Sequence, residues 1–127
     1  MFQKTMDVVG GMKMANKRRD DFSEGVKRVL AERVAYLCSN PDCGHLTVGP
    51  SSNEKEKINI GVAAHICAAS PGGPRYDTEM TSKERSDIAN GIWLCQTCSK
   101  LIDSDVKKYT VETLKAWKKN AEEEVVV

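Results

Sequence analysis

Residues 90–103 read Asn90-Gly91-Ile92-Trp93-Leu94-Cys95-Gln96-Thr97-Cys98-Ser99-Lys100-Leu101-Ile102-Asp103: a turn pair, a short apolar run and a C-x2-C knuckle. Two other stretches belong with it. Upstream, Cys38-Ser39-Asn40-Pro41-Asp42-Cys43 supplies a second cysteine pair at C-x4-C spacing. Between them, Ile58-Asn59-Ile60-Gly61-Val62-Ala63-Ala64-His65 is an apolar, β-branched run that ends on a histidine. Zinc prefers four thiolates or imidazoles in a tetrahedron, and two ligands spaced two to four residues apart can wrap one ion from a turn. Cys38, Cys43, Cys95 and Cys98 are therefore the expected ligands of a structural zinc ion. Four protein ligands leave no open position for chemistry, so such an ion is scaffold. Its binding contributes on the order of 10 kcal/mol to folding, which in a short chain substitutes for a larger core.

The composition agrees with a small metal-stabilised domain. A chain of 127 residues fits one domain with a modest core. The ordinary apolar and charged fractions exclude disordered and fibrous classes. No apolar run reaches the roughly 18 residues of a membrane span, so no membrane association is expected. The start, Met1-Phe2-Gln3-Lys4-Thr5, lacks the charged-then-apolar pattern of a signal peptide, and a cytoplasmic protein is expected. That compartment keeps thiols reduced, so five cysteines argue for metal rather than disulfides. Cys67 is the odd one out and is expected to be buried. The net charge of +1 does not by itself point to nucleic acid. Residues 1–33 are more basic, with eight Lys and Arg against five acids, which a solvated helix face explains as well as a phosphate-facing one.

Residues 1–18 show no sustained period and read as a loose leader, with the domain proper over 19–124. Phe22, Val26, Val29, Leu30, Val34 and Leu37 recur at helical spacing and predict a helix over 22–37, capped by Asp21 or Ser23. Leu46-Thr47-Val48 and Ile58–Ala64 read as strands, and Ala68–Tyr76 with its Pro71-Gly72-Gly73-Pro74 as a loop. Thr81 and Glu84 fit a capping box that opens a short helix. Ile92-Trp93-Leu94 predicts a strand that delivers Cys95. A helix after Cys98 should carry Leu101 and Ile102 inward, and Thr110 should cap a last helix with Val111, Leu114 and Trp117 on one face. Trp93 and Trp117 are assigned to the core.

The order of these features resembles the HNH endonuclease family, a branch of the His-Me finger nucleases. A strand ends in Ala64-His65-Ile66, a Gly-Gly loop follows, then Asn90-Gly91-Ile92-x-Leu94-Cys95, then Cys98-x-x-Leu101-Ile102-Asp103. The likeness spans roughly Arg33 to Trp117 and includes the stretch Leu114–Lys118 that closes such domains. It implies an α+β fold: a small zinc-stabilised ββα-metal, treble-clef-like core, with an amphipathic helix before it and a C-terminal helix after it. It implies that His65 is the general base that deprotonates the attacking water, and that Asn90 holds the loop carrying that histidine. It also implies a divalent cation, Mg²⁺ or Mn²⁺ with Ni²⁺ as a further option, that stabilises the leaving oxygen.

Two positions depart from the family pattern. Ala64 stands where an acid or histidine usually binds the cation, and Ser99 where a histidine or asparagine does. Asp103 lies four residues after Ser99, one helical turn along the same face, and is the expected substitute ligand, with the Ser99 hydroxyl as a weak one. Arg75, after Gly72-Gly73-Pro74, is a candidate phosphate contact. The implied activity is hydrolysis of DNA phosphodiester bonds, with DNA as partner and a homodimer allowed. Two alternatives stand beside it. One is a degenerate zinc module for DNA or partner docking. The other is the nuclease effector of a longer antiphage or restriction protein, with a fused or partner sensor domain.

Overall fold

The computed structural model describes residues 19–127, so the expected leader over 1–18 lies outside the described residues. Helix α1 (Glu24–Arg33) starts where the Ser23 hydroxyl accepts the Val26 amide at 3.1 Å. It is shorter than the stripe predicts. After Val34, Ala35 and Tyr36 adopt φ of 54° and 61°, a left-handed pair that ends the helix. Phe22, Leu30 and Val34 are buried, whereas Val29 and Leu37 are 38% and 39% exposed. Leu37 instead forms an isolated bridge with Leu46.

The predicted strand over 58–64 is two strands. Strand β1 (Val48–Pro50) pairs antiparallel with β2 (Lys57–Asn59), with Val48 opposite Asn59. Strand β3 (Gly61–His65) pairs antiparallel with β4 (Gly91–Cys95), with Gly61 opposite Cys95 and His65 opposite Gly91. The break falls at Ile60, whose amide donates to the Thr47 carbonyl at 2.8 Å, while the Asn59 side chain accepts the Gly61 amide at 3.0 Å. Gly61 is required there, because a Cβ at that position would lie 2.1 Å from the Trp93 ring.

Beyond β3 the chain runs irregularly to α2 (Ser82–Arg85), where Thr81 and Glu84 form the expected capping box. A 3-10 turn (Ile88–Asn90) then feeds β4. Helix α3 (Gln96–Ser104) begins earlier than expected, with Cys95 as its cap, so Cys98 sits in its first turn. Ile102 is fully buried, but Leu101 is 39% exposed rather than inward. Helix α4 (Val111–Glu123) is capped by Thr110, as the sequence predicts.

Alternation along the β3–β4 hairpin decides the layering. Ile92 and Leu94 join Ala64, Ile66, Ile102 and Leu114 in a core against α3 and α4. Trp93, between them, points the other way and packs with Ala63, Ala31 and Val34 under α1. Trp117 packs against the first cluster, edge-on to Tyr109. Among the described residues the architecture is thus mixed α and β, with four α-helices, two small antiparallel sheets and a cluster of four cysteines. No described helix is long and apolar enough to cross a membrane.

Candidate metal centre and histidine cavity

The four paired cysteines converge from two sides. The Cys38 amide donates to the His45 carbonyl at 2.9 Å and the Ser39 amide to the Trp93 carbonyl at 3.0 Å, which fixes the first knuckle beside β4. Cys43 and Gly44 turn back onto the Asn40 carbonyl at 2.9 and 3.1 Å, with Gly44 at φ 65°. Cys95 ends β4, and its sulfur accepts the Cys98 amide at 3.4 Å. All four Sγ atoms lie within 4.8 Å of one another, and those of Cys43 and Cys95 are 3.9 Å apart. A tetrahedron with metal–sulfur bonds of about 2.3 Å has edges of about 3.8 Å, so the cluster is able to hold a metal ion.

The charges fit the same reading. Burial pushes the Cys38 and Cys98 thiols up, so a set of thiolates here needs a cation beside it. Cys95 is also pushed up by burial, but the Cys98 amide and the neighbouring thiols bring it below the ordinary thiol value overall. The Asn40 side-chain amide donates to Cys98 Sγ at 3.4 Å, a bond that favours the thiolate and orients it.

His65 ends β3 on the hairpin face shared with Gly61 and Ala63, the face α1 covers. The segment leading into α1 therefore lies on the imidazole. Phe22 stacks on the ring with centroids 3.9 Å apart and planes 9° from parallel. The Asp20 carbonyl lies 2.9 Å from Nε2. A carbonyl only accepts, so Nε2 carries the proton and Nδ1 keeps its lone pair. Burial lowers the His65 pKa below the ordinary imidazole value, against the opposing effect of the Asp20 carbonyl, and so favours the neutral ring.

A cavity of about 170 Å³ brings His65 together with Arg19, Ala64, Ser99 and Asp103. Ser99 and Asp103 reach it as neighbours one turn apart on α3. Asp103 is not a free carboxylate: its Oδ1 accepts from Arg75 at 2.9 Å. Arg75 adopts φ 58°, and its side chain is 5% exposed. Its donors reach the Ile66 carbonyl at 2.6 Å, the Ile102 carbonyl at 2.9 Å and the Tyr109 carbonyl at 3.3 Å. Arg75, the candidate phosphate contact, therefore braces the loop against α3.

Asn90 is buried and spans three backbone groups. Its Oδ1 accepts the Cys67 amide at 2.9 Å, and its Nδ2 donates to the carbonyls of Cys67 at 2.9 Å and Arg85 at 3.0 Å. Its own carbonyl accepts the Ile66 amide at 2.8 Å, so the turn before β4 grips the chain just past His65. Lys118 of α4 secures that turn from behind, with Nζ donating to the Ile88 and Gly91 carbonyls at 2.7 Å each. Burial lowers the Lys118 pKa.

Sequence reasoning missed Asp20, Phe22 and Lys118 as parts of the site. Phe22 reads as one more apolar position of a helical stripe, and the Asp20 contact is made by backbone, which leaves no residue signature. Lys118 lies in the domain-closing stretch, where only its place among apolar positions hinted at burial. No family model matches the chain, and neither does any curated protein.

Proposed function

We propose that the protein is a metal-dependent endonuclease of the HNH type that hydrolyses DNA phosphodiester bonds, built on a treble-clef-like ββα core whose four cysteines hold structural zinc. The observation that carries this reading is the contact of His65 Nε2 with the Asp20 carbonyl, which selects the tautomer. Its Nε2–H is spent on the Asp20 carbonyl, its Nδ1 keeps a lone pair, and it shares a cavity with a carboxylate. A neutral imidazole held this way is a general base, able to contribute a factor of about 10²–10⁴.

Nδ1 of His65 takes a proton from water as the water oxygen bonds to phosphorus and the bond to the leaving oxygen breaks. A Mg²⁺ or Mn²⁺ ion supplies charge stabilisation to the phosphate and the leaving oxygen when bound. Asp103 would hold it through the oxygen not given to Arg75, with the Ser99 hydroxyl beside it. Mg²⁺ keeps several waters and needs one or two carboxylates plus substrate phosphate, so a sparse protein set suffices. Asn90 and Lys118 keep the His65 loop in register, and Phe22 keeps water off one face of the ring.

The second reading is a zinc module that docks DNA or a partner without cutting. It is favoured by the methyl group of Ala64 beside His65 and by the engagement of Asp103 with Arg75. Plasmid nicking separates the two. Wild-type protein should nick supercoiled DNA in Mg²⁺, Mn²⁺ or Ni²⁺, His65→Ala should not, and Asp103→Ala should lose activity at low metal concentration. Folded, zinc-loaded wild type that nicks in none of these metals would overturn the nuclease reading in favour of the docking module.

A further inference from the structure

The cavity at His65 does not end at β3. Val62 and Ala63 line it and also line a larger cavity of about 520 Å³ between α1 and the strands. The second cavity is basic: Lys27 and Arg28 reach it from α1 and Lys57 from β2. Glu24 is the one acid on its wall, bonded to Lys27 at 3.2 Å. Tyr36 forms another wall, placed there by the left-handed backbone that ends α1 and held edge-on to Trp93 at 6.0 Å.

We propose that this groove is a second phosphate-binding subsite, which carries the DNA duplex flanking the cut, with Arg28 and Lys57 as its backbone contacts. The proposal rests on the endonuclease reading and adds where the substrate lies. Three features carry it. The cations outnumber the acid, and Arg28 and Lys57 have no salt-bridge partner among the described residues. The ridge between the two cavities is Gly61-Val62-Ala63-Ala64, which carries no acidic side chain to repel a polyanion. The spacing also fits. Four residue steps along β3 cover about 13 Å, the axial length of about four base steps at ~3.4 Å each. A strand whose scissile phosphate sits at His65 would thus meet the groove wall at Gly61 about four steps away, on one side only.

The test uses the Arg28→Ala/Lys57→Ala double variant, both exposed positions whose loss should leave thermal melting unchanged. Binding is measured by anisotropy on a labelled DNA duplex in the His65→Ala background, so that no cutting intervenes, over a series of salt concentrations. The double variant should bind on the order of tenfold more weakly, and its log–log salt slope should flatten by about two, as expected for two lost phosphate contacts. Methylphosphonate links about four steps to one side of the cut should weaken wild-type binding and leave the double variant unaffected.

A double variant with wild-type affinity and salt slope, or equal sensitivity to neutral links on both sides, overturns the groove. The two readings fail separately. Wild type that cuts DNA beside a double variant that binds unchanged removes the groove and leaves the nuclease. Wild type that binds through Arg28 and Lys57 but fails to cut in Mg²⁺, Mn²⁺ or Ni²⁺ removes the nuclease and leaves the groove.

Discussion

The Asp20 carbonyl lies 2.9 Å from Nε2 of His65, and Phe22 covers one face of the same ring. Together these contacts fix the tautomer and withdraw the imidazole from water. The first leaves Nδ1 as the basic nitrogen. The second makes the protonated ring costly, which is why burial takes the pKa down rather than up.

The pH dependence follows. Activity should stay flat through neutral pH and fall only below the ordinary imidazole value of about 6.5, because the base must be unprotonated in free enzyme. Stability should run the same way. A histidine whose folded pKa is depressed contributes stability that is present above the unfolded value and lost as pH falls through the folded one. Phe22→Ala, which bares the ring, should move the acid limb of kcat/KM up toward the ordinary value. A limb already at or above that value in wild type would contradict the burial of His65.

Asn90→Ala should cost roughly 2–4 kcal/mol, since it strands a buried amide and two carbonyls that have no other side chain to meet. Urea titration measures this. Nuclease activity should fall further than the folded fraction does, because the same bonds hold the chain next to His65. Loss of stability without any further loss of rate would reduce Asn90 to a turn residue.

Metal analysis should return one zinc per chain, and strong chelators should unfold the protein. Cys98→Ser should abolish zinc binding and cooperative folding. Cys67→Ala, a buried thiol outside the cluster, should keep full zinc content and lose only about 1–2 kcal/mol. Equal effects of the two substitutions would mean the cluster is ordinary core.

Gly61→Ala should destabilise by about 1–3 kcal/mol, because its Cβ would meet the Trp93 ring at 2.1 Å. The indole cannot swing away without breaking its Nε1 bond to Thr47 at 2.9 Å. A thermal melt checks this, and an unchanged midpoint would show that the ring shifts freely.

Much of this was legible in the chain itself. Cysteine spacing selected the four residues that converge, because a turn of two to four residues places two sulfurs together with no tertiary help. Thr81, Glu84 and Thr110 announced their helices, because caps are local hydrogen bonds. The apolar run Ile92-Trp93-Leu94 announced its strand, while the division of its side chains between two clusters came with the fold. Less legible were ends and breaks. The 22–37 stripe overran α1, since nothing local shows that Ala35 and Tyr36 turn left-handed, and the single strand over 58–64 divided because Ile60 turns its amide to the Thr47 carbonyl, a tertiary contact.

The sequence by itself thus determined which four cysteines cluster and where three of the helices are capped, all properties of short spacings. Tertiary structure alone decided the state of each site residue. It turned Arg75 from a surface guanidinium into a buried brace, gave Asp103 a partner, and set the proton on His65 through a carbonyl 45 residues away. Such properties depend on burial and on backbone groups brought from elsewhere in the chain, and a side chain's identity encodes neither.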